Sequence, residues 1–139
     1  MKSLLIFAII VGTSLACNII VHVKSETDKK FDAQVSAANG QKSSKWSFSK
    51  KLQRETFQQS AADCGVGDWH ITTFDASGKQ VADEKVGLSG LGRVDYEVKD
   101  DLKPVQTYRQ GAICTGQCAP LGATPKPPSR PNSPTQKTN

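Results

Sequence analysis

Apolar and polar residues alternate with a period of two along most of this chain, which is the pattern of half-buried β-strands. In the first such segment, 18–24, Ile19, Val21 and Val23 share one face. The same alternation predicts strands at 30–36, 44–50, 68–74 and 93–98. We expect three further strands, in the polar segment 53–60, at 80–86 and, to close the set, at 105–109. Helical periodicity is hard to find, so we expect an all-β fold of about seven or eight strands.

Residues that favour tight turns separate the predicted strands. Asn39-Gly40 tolerates positive φ, and 75–78 reads as a type I turn that ends on glycine. We expect 87–90 to link the next pair of strands and 100–104 to precede the last strand. Short strands at a spacing of about 8–12 residues are typical of sandwiches. We predict a single antiparallel, immunoglobulin-like β-sandwich over residues 17–118, although the Cys…Trp…Cys pattern of immunoglobulin domains is absent.

The first sixteen residues have the features of a secretory signal peptide. Lys2 precedes an apolar run at 4–11, and Ser14-Leu15-Ala16 ends it with small residues where signal peptidase cleaves. The run is too short to cross a membrane, so we expect a secreted, extracellular protein with no transmembrane segment. Cys17 at the cleavage point leaves open a lipid-anchored surface protein, although Ser14 stands where lipoproteins usually have leucine.

The composition changes after Cys118. Residues 119–139 contain six of the seven prolines, no aromatic residue and no acidic residue. We expect a disordered, Pro-rich basic tail. Without this tail, residues 17–118 have 14 Lys and Arg against 13 Asp and Glu, so the basic pI is no sign of a nucleic-acid-binding domain.

Four cysteines in a secreted chain indicate two disulfides. If eight strands alternate in direction, all four cysteines arrive at one end of the sandwich, and three pairings remain open. We favour pairings that join Cys17 and Cys64 to Cys114 and Cys118, because each would close a long loop and stabilise by about 4 kcal/mol. The spacing of Cys114 and Cys118 is not that of a redox or zinc motif.

Motifs that carry catalysis are absent from the sequence. His22 and His70 are the two histidines, too few to build a metal site without other converging ligands. The glycines at 87–92 match neither a nucleophile elbow nor a phosphate-binding loop. We therefore expect no enzymatic activity, no metal and no cofactor.

One basic segment stands out as a candidate site. It contains five cations and no acid, interleaved with Trp46 and Phe48; the cations are Lys42, Lys45, Lys50, Lys51 and Arg54. One interpretation is a half-buried strand whose outward cations prevent edge-to-edge pairing. The other is a site for an extracellular polyanion. We expect a monomeric binding protein whose partner is an extracellular protein or an anionic surface, and no nucleic acid. A secreted enzyme inhibitor that presents a disulfide-braced loop is an alternative.

The sequence also resembles small secreted nematode proteins of unassigned function, over roughly residues 17–114. The segments that carry the resemblance are 17–23, 45–48, Cys64, 69–75 and 100–105. The resemblance implies a secreted β-sandwich and no catalytic residue.

Overall fold

The computed structural model describes residues 16–122, so residues 1–15 of the predicted signal peptide and residues 123–139 of the predicted tail lie outside the described residues. This part of the chain contains no helix long and apolar enough to cross a membrane. Its nine strands are β1 Cys17–Ser25, β2 Phe31–Ser36, β3 Trp46–Phe48, β4 Arg54–Ala61, β5 Trp69–Asp75, β6 Gln80–Ser89, β7 Leu91–Val98, β8 Pro104–Gln110 and β9 Ile113–Gly116.

The strands form two sheets that enclose one hydrophobic core. The four-stranded sheet has the order β4-β1-β7-β8, and the five-stranded sheet has the order β3-β2-β5-β6-β9. Period-two alternation places every second side chain of β1, β2 and β5 inside. Trp69, Tyr96, Phe31 and Phe48 are the largest side chains that this core buries completely or almost completely. The predicted all-β sandwich is confirmed.

The expectation of an antiparallel sandwich is wrong for one pair of strands. β1 and β7 run parallel, in a register from Asn18 opposite Leu91 to Ser25 opposite Val98. Hydrophobic alternation determines which face of a strand is buried, but it carries no information about the direction of the neighbour. The four-stranded sheet is therefore mixed.

The predicted turn at 87–90 is also wrong. Val86 and Leu88 point into the core, so β6 continues to Ser89. Gly90 alone separates β6 from β7, which belong to different sheets, and its φ of 85° lets the chain cross between them. The two strands are consequently not a hairpin.

A ninth strand, β9, pairs antiparallel with β6 and was not predicted. The chain reaches it from β8 by passing over Gly92, where a Cβ atom would collide with backbone atoms of Gln110 and Ala112. The glycine in β7 thus makes room for the crossing from one sheet to the other.

The two expected disulfides are present, but the favoured pairing is wrong. Cys17 is bonded to Cys64, and Cys114 is bonded to Cys118. β1 and β4 are antiparallel neighbours with Cys17 opposite Ala61, so the chain that leaves β4 returns Cys64 to the start of β1. Cys114 lies instead on β9, opposite Leu88 at the edge of the other sheet. Sheet membership, which alternation does not reveal, decides the pairing.

The two disulfides should differ in their contribution to stability because they close loops of different length. Their sequence separations are 47 and 4 residues. Loop-closure entropy predicts that replacing Cys17 and Cys64 by alanine lowers the free energy of unfolding by about 4 kcal/mol, and replacing Cys114 and Cys118 lowers it by about 2 kcal/mol. Urea unfolding of the two double variants measures both losses. Equal losses, or a larger loss for the second pair, would contradict this ranking.

Candidate functional site

The structure divides the five cations of the predicted basic segment between the two sheets. Lys42 pairs with Ser36 beside β2, and the Lys45 Nζ lies 3.7 Å from the centre of the Phe74 ring, so both belong to the five-stranded sheet. Lys50 and Lys51 lie in the turn after β3, and Arg54 begins β4 in the four-stranded sheet. The chain changes sheets between β3 and β4, so this run of cations does not form one surface.

The turn that carries Lys50 and Lys51 is anchored at its following residues. The Leu52 N–H donates to the Ser25 carbonyl, and the Ser25 N–H donates to the Gln53 carbonyl, both at 2.8 Å. The Gln53 side chain donates to the Ser47 carbonyl at 2.8 Å and accepts from the Ser49 N–H at 3.0 Å. These bonds hold the exposed lysines at the end of the sandwich where β1 finishes.

Pairing of β1 with β4 and β7 brings further cations to the same end. Lys24 of β1 lies opposite Arg54 of β4, and Lys99 directly follows Val98, the β7 partner of Ser25. We call this group of five cations the basic end; its members are Lys24, Lys50, Lys51, Arg54 and Lys99. The carboxylates of Glu26, Glu97 and Asp100 lie at the same end of the sandwich.

The carboxyl group of Glu26 lies within electrostatic range of cations from separate parts of the chain. Lys24 Nζ lies 2.8 Å from Glu26 Oε1, and its hydrogen bond lowers the pKa of this carboxyl group. The charges of Lys51 and Lys99 lower the pKa of Glu26 further. A single carboxylate is thus within electrostatic range of cations from β1, from the turn before β4 and from the end of β7.

Sequence reasoning missed Lys24 and Lys99. Lys24 lies in an ordinary alternating strand, and Lys99 precedes two aspartates, so neither belongs to a run of cations. Only the order β4-β1-β7 places them beside Lys51 and Arg54. A prediction of strand partners, rather than a search for charge runs, could have found them.

A cleft of about 150 Å³ on the outer face of the four-stranded sheet adjoins the basic end and includes His22. The His22 Nδ1 lies 2.7 Å from Thr56 Oγ1, and its Nε2 lies 3.4 Å from an Arg54 guanidinium nitrogen. Because a guanidinium group only donates, Nε2 accepts and the Nδ1–H donates to Thr56. The arrangement therefore suits a neutral imidazole.

Electrostatics agree with this protonation state. Burial lowers the pKa of His22, and the positive charge of Arg54 lowers it further, against the opposing effect of Asp95. Protonation would turn the Nε2 acceptor into a donor that faces a second donor. The contact between His22 and Arg54 is thus lost at acid pH.

His70 and Tyr96 are two further titratable groups, and both have hydrogen-bond partners in the structure. His70 Nδ1 lies 3.0 Å from Asp83 on the exposed face of the five-stranded sheet. Burial raises the pKa of the Tyr96 hydroxyl to about 12, and this hydroxyl accepts a hydrogen bond from Gln106. Among residues 16–122 no three His, Cys, Asp or Glu side chains lie together as a metal site would require.

Comparison with protein-family models finds no match to this chain, and comparison with curated proteins finds none either.

The low pKa of His22 predicts a loss of stability in acid. In the unfolded chain the imidazole has a pKa of about 6.5, above the value in the fold, so the unfolded state binds the proton more tightly. The free energy of unfolding should fall as the pH drops through about 6.5 towards the folded-state pKa. The His22→Gln variant should lose this part of the fall.

Urea unfolding at about pH 7.5 and about pH 5 checks this for the wild type and the His22 variant. His70→Gln is the matched control, because it removes the other histidine and leaves the His22 contribution in place. An identical pH effect in the wild type and in His22→Gln would refute the assignment.

Proposed function

We propose that this chain is a secreted, non-enzymatic binding protein with an immunoglobulin-like β-sandwich, and that its basic end recognises an extracellular polyanion. The observation that carries the proposal is that Lys24, Lys51 and Lys99 lie within electrostatic range of Glu26, with Arg54 opposite Lys24. The two disulfides support an extracellular location, since such bonds persist in oxidising compartments.

The spacing of these cations suits a chain of anionic groups better than a single small anion. Lys24 and Arg54 lie opposite each other on neighbouring strands, whose backbones are about 4.8 Å apart. Lys50 and Lys51 extend from the adjoining turn. Lysine side chains are flexible point charges that adapt to sulfate or carboxylate groups at varying positions. A sulfated glycan is therefore the ligand class that we favour.

A binding role, rather than a catalytic one, also fits the hydrogen bonds of His22 in the cleft beside the basic end. Both ring nitrogens of His22 are engaged, one by Thr56 and one by Arg54. A general base needs a free nitrogen within reach of the proton that it removes. We infer that His22 shapes the cleft beside the basic end rather than acting as a base.

Charge reversal at the basic end should weaken polyanion binding. We expect Lys50→Glu with Lys51→Glu to lower the affinity for heparin at least about tenfold, which corresponds to about 1.4 kcal/mol. The slope of log affinity against log salt should also become shallower, because fewer counterions are released. Calorimetric titration with heparin at several salt concentrations measures both quantities.

The matched control is Lys42→Glu with Lys45→Glu, which changes the net charge equally but lies on the other sheet. We expect this control to retain most of the wild-type affinity. Equal losses in the two double variants would show that net charge acts without a site. A wild-type protein that binds no heparin at low salt would overturn the proposal.

A second candidate function, inhibition of an enzyme, is favoured by the loop between β4 and β5. The disulfide to Cys17 braces this loop at Cys64, and Val66 is fully exposed between Gly65 and Gly67. An exposed aliphatic side chain on a braced loop can serve as an anchor in a partner's apolar pocket.

This candidate predicts that the chain inhibits at least one secreted protease and that Val66→Asp abolishes the inhibition. The reason is that a carboxylate cannot enter an apolar pocket without a large desolvation penalty. Residual activities of a protease panel with wild-type and variant protein provide the measurement. Absence of inhibition by the wild type would eliminate this candidate and leave polyanion binding untouched.

A further inference from the structure

Three of the four sheet edges in the described part of the chain are short or covered. β3 has three residues and follows Lys45, and β9 has four residues closed by the Cys114–Cys118 disulfide. Beside β8 the chain runs back, with Leu121 paired to Arg109 and the Gly122 N–H donating to the Arg109 carbonyl at 2.6 Å. β4 is the exception, with eight residues and, within residues 16–122, β1 as its one strand neighbour.

The hydrogen bonds between β1 and β4 show which backbone N–H and C=O groups of β4 point away from β1. The Ser25 N–H donates to the Gln53 carbonyl and the Ser25 carbonyl accepts from the Leu52 N–H, so a bulge at residues 52 and 53 faces Ser25 at a hydrogen-bonding position of the antiparallel ladder. Hydrogen-bonding positions alternate along the ladder, so residues 55, 57, 59 and 61 bond to β1. Arg54, Thr56, Gln58 and Ser60 therefore direct their backbone N–H and C=O groups to the open edge.

Arg54 and Glu55 are charged, but the six residues from Thr56 to Ala61 carry no charge that would discourage another strand from using these groups. Lysine, proline and bulges commonly protect sheet edges, and neither lysine nor proline occurs between Arg54 and Ala61. The pairing of β4 with β1 is regular along its whole length, without a shift of register. The edge is thus long, regular and free of charge in its centre.

We propose that β4 pairs antiparallel with β4 of a second copy, about a two-fold axis at Phe57, and joins two four-stranded sheets into one of eight strands. This proposal stands apart from polyanion binding and departs from the monomer expected from the sequence. The occupant is a second copy because the edge is self-complementary in this register, as the individual pairs show.

The register follows from the groups that must meet. Outward groups lie on even-numbered residues, so Thr56 faces Gln58 of the second copy and Arg54 faces Ser60, which provides about eight backbone hydrogen bonds. Phe57, half-buried against Trp69, then faces its own equivalent across the axis. Moving the axis to Glu55 would place two carboxylates opposite each other, and moving it to Thr56 would set Phe57 against Glu55.

Ser60 offers a test that leaves the monomer fold intact, because its side chain is exposed. In the proposed register residue 60 of each copy faces Arg54 of the other copy, so the dimer contains two such pairs. Ser60→Glu should tighten the dimer and Ser60→Lys should weaken it, each by about fivefold in dissociation constant. Val105→Glu and Val105→Lys, at an exposed position on the opposite edge strand, are the matched controls and should change it little.

Sedimentation equilibrium of the full chain over a wide concentration range measures these dissociation constants. Amide hydrogen exchange at low and high concentration supplies an independent readout, in which Thr56, Gln58 and Ser60 should gain protection as the dimer forms. A wild-type protein that stays monomeric would overturn the proposal, even if β4 binds an extended peptide of another protein. Shifts of the same sign in both Ser60 variants, or a dimer without protection of β4, would also overturn it.

Discussion

β1 lies inside the four-stranded sheet, and its pairing along both edges determines where the neighbouring elements are placed. Its inward side chains Ile19, Val21 and Val23 are fully buried, and the strand is paired along both edges, antiparallel to β4 and parallel to β7. Its odd-numbered backbone groups bond to β4, as the ladder through Ser25 and Gln53 shows. Its even-numbered groups face β7, and Asn18 N–H donates to the Gly90 carbonyl at the start of that ladder.

Each functional feature follows from this placement. Lys24 reaches Arg54 and the region of Lys99 because β1 lies between β4 and β7. Cys17 meets Cys64 because β4 ends where β1 begins. β4 is left at the edge of its sheet because no strand in the described part of the chain pairs with its side away from β1. One strand therefore positions the basic end, the long disulfide and the open edge.

The pattern of apolar and polar residues was enough to predict eight strands close to their observed bounds, because burial on one face imposes a period of two. It could not predict partners, since parallel and antiparallel neighbours bury the same face. The parallel pairing of β1 with β7 and both disulfide partners were accordingly missed. β9 could not be predicted from alternation, because Ile113–Gly116 is short, ends on glycine and has an exposed isoleucine. The basic end could not be predicted from a run of cations, because its members lie on separate strands. The run Lys42–Arg54, which the sequence does show, is divided between the two sheets.

Residue-resolved amide hydrogen exchange along β1 shows whether this strand is paired on both sides. A strand with two partners has every amide bonded, whereas an edge strand has only alternate amides bonded. We expect slow exchange at every amide from Asn18 to Ser25, including Ile20, His22 and Lys24, whose N–H groups face β7. Fast exchange at these three amides beside slow exchange at Ile19, Val21 and Val23 would contradict this expectation.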